Sequence, residues 1–228
     1  MYFQHSAQIW RDFPELVPIA LSVDGITPDA NVAGAVARYW DLARTSPQES
    51  ELPQIQAWRR AFASMGLKPT QYRCASEALL RRFRKEGALP SLHPLVDLCN
   101  AISLAYAVPI AALDLAAVSG DLEVRYASGD EKYLTFAGEV EQPPPGEVIF
   151  ADEEGNAHAR RWTNRQSGLS AVRDSTSTVL IVAEALHPTA AEDMPRLLET
   201  LTSEIAAAWR ITPAGAMLTP ASPRFQSR

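Results

Sequence analysis

Residues 80–127 read LRRFRKEGALPSLHPLVDLCNAISLAYAVPIAALDLAAVSGDLEVRYA, a stretch that passes from helix-forming to strand-forming chemistry. Its first part completes a short helix over Ser76–Lys85, stopped by Glu86-Gly87. Pro94 opens a second helix that runs to about Ala107 before Pro109, because a ring that fixes φ and carries no N–H suits the first helical turn. Asp97 and Asn100 stand three apart and so share a face of this helix. Both are poor mid-helix residues, since their side chains compete for backbone groups, and something tertiary must hold them. Beyond Gly120 the pattern changes to strand at Leu122–Tyr126.

Working outward, Leu16–Val23 reads as a strand closed by Asp24-Gly25, followed by helical patterning over Asn31–Ala43 and Pro53–Ala63. Downstream, strands are expected at Tyr133–Phe136, Glu147–Phe150, Ala157–Trp162 and Thr178–Ala183, with Pro143-Pro144-Pro145-Gly146 as a rigid loop between two of them. Leu197–Trp209 contains no Pro or Gly and reads as an amphipathic closing helix, with Pro195 in its opening turn. Met1–Gln4 looks like the remnant of a cleavable purification tag. Residues 5–212 then form a single domain, and residues 213–228, with Pro213, Pro220 and Pro223, form a disordered tail.

Composition bounds the possibilities. The chain has 228 residues, 46% of them hydrophobic and 21% charged, which suits a globular domain with a real interior. No apolar run reaches the roughly 18 residues of a membrane span, and the start lacks the pattern of a signal peptide, so a cytoplasmic location without membrane contact is expected. Cys74 and Cys99 are far apart and read as buried thiols, and His5, His93, His158 and His187 form no metal-ligand spacing. No metal or other cofactor is expected. The net charge of −6 argues against bulk electrostatic binding of nucleic acid, DNA included. Two basic clusters interrupt the acidity: Arg73, Arg81, Arg82, Arg84 and Lys85, then Arg160, Arg161, Arg165 and Arg173.

The stretch also resembles a known family. Leu80, Arg81, Arg82, Ser91, Val96, Asp97, Asn100, Pro109, Ala112, Asp114, Gly120, Val124, Arg125, Ala127 and Gly138 fall in step with the editing module of the beta subunit of bacterial phenylalanyl-tRNA synthetase. From His93 to Gly138 the match needs no gap. With too few residues for an amino-acid activation core, the chain resembles the free-standing relatives of that module. The resemblance implies an α+β fold of layered sheets with packed helices, and a pocket between the Pro94 helix and the later strands. It also implies aminoacylated tRNA as partner and hydrolysis of a mischarged aminoacyl ester in trans. A non-catalytic module binding tRNA or an amino-acid-like ligand is the alternative.

By the same resemblance Asn100 matches an asparagine that positions the misacylated amino acid, whereas Asp97 reads as a tie to a neighbouring loop. Ala111 stands where the family has histidine, and Val182 where it has the glutamate that recognises a tyrosine hydroxyl. An apolar residue at that point favours an apolar or smaller substrate side chain. Glu184, two residues on and on the same strand face, is either a displaced carboxylate or a strand-end surface charge. Arg165, Gln166 and Ser167 occupy a glycine-rich loop of the family and are further substrate-contacting candidates, while Arg81 and Arg82 are candidates for RNA contact. The sequence contains no Gly-x-Ser-x-Gly elbow, and Ser167 has no evident base.

Overall fold

The computed structural model describes residues 1–227. In chain order its elements are β1 (Tyr2–His5), α1 (Ala7–Asp12), β2 (Val17–Asp24), α2 (Ala33–Arg44), α3 (Pro53–Ser64), α4 (Ala75–Glu86), α5 (Pro94–Tyr106), β3 (Ile110–Asp114), β4 (Leu122–Tyr126), β5 (Tyr133–Leu134) and β6 (Val140–Glu141). There follow β7 (Val148–Asp152), β8 (Ala157–Arg160), β9 (Arg165–Gln166), β10 (Thr178–Ala185), α6 (Ala190–Trp209), β11 (Ala214–Met217) and β12 (Arg224–Gln226).

The fold is α+β. One sheet has the order β12-β1-β4-β7-β8-β9 and a second has β11-β2-β10-β3, with β5 and β6 forming a small separate hairpin. Among the strands of the described residues, only β1 and β4 pair in parallel. β10 is a central strand, and its alternating side chains serve two cores. Val179, Ile181 and Ala183 pack with Leu98 and Ile102 of α5 and Leu197 and Leu201 of α6. Leu180 and Val182 point the other way, into a core shared with Val124, Phe150 and Trp162. Helices, four-stranded sheet and six-stranded sheet therefore succeed one another as layers. Each fully buried aliphatic or aromatic side chain contributes about 1.5–3 kcal/mol to holding them together.

Local chemistry places the key helix. Pro94 occupies the first turn of α5 as expected, and His93 caps it by accepting the Leu95 N–H at Nδ1, 3.1 Å away. α4 ends at Gly87, whose φ of 76° closes the last turn on the Phe83 carbonyl; only glycine adopts that conformation at little cost.

The structure departs from the sequence reading at both chain ends. Residues 1–4, expected to be a tag remnant, contribute Tyr2, Phe3 and Gln4 to β1 inside the six-stranded sheet, with Phe3 fully buried. The stretch expected to be disordered supplies β11, paired with β2, and β12, paired with β1. Its three prolines lie outside both strands, so none removes a ladder hydrogen bond. α6 starts at Ala190, earlier than expected, and carries Pro195 within it. Finally, β3 at Ile110–Asp114 was not anticipated at all, and it borders the candidate site.

Candidate functional site

β3 is an edge strand, and recesses open on both sides of it. The outer one, about 220 Å³, lies between α5 and the segment that follows β9. Val96, Ile110, Ala112 and Val172 give it apolar walls, Asn100 and Gln166 contribute carboxamides, and Leu92 and Phe136 border it. Leu92 and Phe136 are among the most exposed large apolar side chains, at 67% and 73%, so the rim is apolar as well as the wall. The Cys99 thiol also borders the recess, but burial pushes its pKa up to about 12, which leaves it inert as a nucleophile.

Asn100 belongs to this outer recess. Among the described residues its carboxamide has no hydrogen-bonding partner, and it also borders a separate hollow of about 390 Å³ between α2 and the start of α5. Asp97 behaves as the sequence suggests: its carboxylate accepts from Ser91 Oγ at 2.6 Å and from the Leu92 N–H at 2.9 Å, fixing the loop that carries Leu92 to the rim.

The inner cavity, about 60 Å³, lies on the opposite face of β3, between the two sheets. Ala111, Val182, Glu184, Arg165 and Gln166 all line it. The single pocket expected between the Pro94 helix and the strands is thus two spaces, because successive side chains of β3 point to opposite faces. Ala111 faces the inner cavity and Ala112 the outer recess.

Glu184 is no surface charge. It is buried, and its Oε1 accepts from His5 Nε2 at 2.6 Å and from Trp162 Nε1 at 2.8 Å. Trp162 reaches it from a turn in which both Arg161 and Trp162 have positive φ, at 48° and 56°. Bulky residues seldom adopt that conformation, and surrounding contacts must enforce it. Here the Trp162 N–H bonds to the Val148 carbonyl, Asn164 Nδ2 to the Arg73 carbonyl and the Ala75 N–H to the Thr163 carbonyl. The indole packs edge-on against Trp58, ring centres 5.0 Å apart. His5 and Trp162 were not among the sequence candidates, since nothing local marks residues so far apart as neighbours.

The remaining candidates have other partners. Gln166 Nε2 donates to the Ala112 carbonyl at 2.7 Å. Ser167 is fully buried away from both recesses, with Oγ bonded to the Leu134 carbonyl, so it holds a turn rather than a ligand. Arg165 lies over the Tyr133 ring and near Glu141. Arg160 is buried between Glu141 and Glu147, which leaves that cluster less basic than its sequence. On α4, Arg81 pairs with Glu49 and Arg82 with Glu86, both arginines half exposed beside a charged groove. Among the described residues, no three His, Cys, Asp or Glu side chains converge as metal ligands, and no helix is long and apolar enough to cross a membrane.

Residues 57–207 match the B3/4 domain. The chain belongs to the B3/4 domain family. This domain is similar to the phenylalanine–tRNA ligase beta subunit of Shewanella oneidensis, with 29% identity over 125 residues, covering 54% of this chain and 15% of that one. It matches the corresponding subunit of Legionella pneumophila at 31% identity over 70 residues, 31% of this chain and 9% of the relative. The chain therefore spans a small part of the length of these relatives. A solved N-terminal fragment of the phenylalanyl-tRNA synthetase beta subunit from Pyrococcus horikoshii aligns with 94% of the chain and 49% of its own length. Its TM-score is 0.48 and its identity 11%.

Proposed function

We propose that this B3/4 domain binds aminoacyl-tRNA and hydrolyses a mischarged aminoacyl ester in trans. The observation that carries the reading is the outer recess, an apolar space of amino-acid size whose only carboxamides are Asn100 and Gln166. An activated ester needs little from a protein beyond orientation. A donor aimed at the carbonyl oxygen stabilises the developing oxyanion, and a held water or the neighbouring ribose hydroxyl attacks. Asn100 has the free N–H groups for the first task, while the apolar wall takes the amino-acid side chain. The absence of a nucleophile–base pair in the recess is compatible with this chemistry. The place of action is the cytoplasm, where charged tRNA is found.

A second reading, a module that binds tRNA or an amino-acid-like ligand without hydrolysis, draws on one observation: no carboxylate or imidazole lines the outer recess. A panel of mischarged tRNAs, with release of amino acid and tRNA binding measured in parallel, separates the two. Turnover of at least one member supports the deacylase. Binding without release from any member replaces it with the binding module.

A further inference from the structure

Ile110 and Gln166 border both the outer recess and the inner cavity, so the two spaces adjoin at the edge of β3. Beside Ile110 at that edge lies the Gln166 side chain, which crosses from β9 to the other sheet and bonds to the Ala112 carbonyl at 2.7 Å. The segment after it continues the seam, with the Ser170 carbonyl accepting the Asp114 N–H at 2.9 Å.

Behind this seam the inner cavity holds unspent polar capacity. Glu184 Oε1 is occupied by His5 and Trp162, but Oε2 receives no hydrogen bond among the described residues. Thr163 Oγ1, which also borders the cavity, is buried without a partner. Asn164, Arg165 and Gln166 line one side, and the other walls are apolar: Pro109, Ile110, Ala111, Phe150 and Val182. A buried carboxylate with one open oxygen in such a place is an acceptor for a donor group that arrives from outside.

We infer that Gln166 is a specificity-determining partition, which ends the amino-acid pocket at the outer recess and keeps substrate side chains from reaching Glu184. The inference rests on the editing reading for the identity of the ligand. With the partition in place the pocket accepts short or branched apolar side chains. With it removed the two spaces join, and a longer side chain with a hydrogen-bond donor at its tip, a phenol above all, reaches the carboxylate. Glu184 is then the specificity element of a pocket that Gln166 closes.

The test uses p-cresol and toluene as small probes that differ by one hydroxyl, so that no tRNA is needed. Their binding is followed by ligand-observed NMR in the wild type, in Gln166→Ala and in Gln166→Ala combined with Glu184→Gln. The expected result is at least a tenfold gain in p-cresol affinity in Gln166→Ala, with p-cresol preferred over toluene. That preference disappears in the double variant, whose carboxamide oxygen stays with His5 and Trp162 and turns an N–H₂ donor towards the probe. Gln166→Asn, one methylene too short for Ala112, carries the same test should the alanine variant fold poorly. Tight, Glu184-dependent p-cresol binding by the wild type overturns the partition, as does the absence of any gain in both Gln166 variants.

A tyrosyl-tRNA arm keeps the two ideas apart. Gain of p-cresol binding without deacylation of any tRNA supports the partition and removes the editing function. Deacylation by the wild type with no p-cresol or tyrosyl gain in the variants overturns the partition and leaves editing intact.

Discussion

Ala111 and Val182 are direct partners across the β3–β10 ladder, and both face the inner cavity. Two of the positions that the sequence resemblance sets apart from the synthetase editing module are therefore one place in space. An apolar pair fills it, and Val182 is 1% exposed. Glu184 stands two residues further along the same face, so a carboxylate exists in this region but at a different depth.

This pairing makes the two substitutions interdependent. Val182→Glu alone places a second buried carboxylate beside Glu184 and is expected to cost at least about 3 kcal/mol of stability. Ala111→His, directly opposite, recovers about 1 kcal/mol or more of that loss. Urea unfolding of the wild type, both single variants and the double variant measures the coupling, and strict additivity contradicts it.

The chain start is an integral strand, and His5 is half of a buried pair. His5→Ala leaves Glu184 Oε1 with the Trp162 N–H alone and is expected to destabilise the fold by about 2–3 kcal/mol. Removing residues 1–5 strips β1 from between β4 and β12 and lowers the melting temperature further. A truncated chain that melts like the full one contradicts the placement of β1.

His158 gives stability a pH dependence. Its ring is fully buried with Nε2 3.2 Å from Asp152; burial holds its pKa below the ordinary value although Asp152 pulls the other way. The unfolded chain therefore takes up a proton at a pH where the folded chain does not, and stability present above about pH 6.5 is lost as the pH falls below it. Urea midpoints between pH 7.5 and 5 should drop for the wild type and drop less steeply for His158→Gln. His93, likewise held low by burial against the pull of Asp174 and Asp97, leaves part of the slope in that variant.

Under the proposed function, contact with RNA would rely on local charge. Arg81, Arg82 and Arg165 are each close to one carboxylate yet 44–50% exposed. Reversing all three is expected to weaken tRNA binding and to reduce the slope of log K against log salt by about 2, the contribution of three single-strand phosphate contacts. An unchanged slope assigns these arginines to the protein's own ion pairs.

How much could be read from residues alone depends on how local each signal is. α5 was legible because Pro94, Asp97 and the break before Pro109 act within a few residues of themselves, and Asp97 ties down the loop it was expected to hold. β1 and β12 were not, because Phe3 pairs with Phe225 across the whole chain and short polar-flanked strands have no period to detect. Val182 and Glu184 were placed on one strand face by their spacing, but that Ala111 lies opposite Val182, and that Asn100 falls on the other side of β3, was hidden because the run Ile-Ala-Ala-Leu-Asp shows no alternation. Gln166 emerged as the residue between the two spaces only once its reach to Ala112 was visible.

The central claim is that an aminoacyl ester is hydrolysed at the outer recess with Asn100 as the group that stabilises the reacting carbonyl. Single-turnover release of amino acid from a mischarged tRNA, compared between the wild type and Asn100→Ala, tests it most directly. The account predicts a rate about 10²–10³ lower in the variant, with tRNA affinity and melting temperature unchanged, since this carboxamide holds nothing in the fold. An Asn100→Ala protein that releases amino acid at the wild-type rate would contradict it.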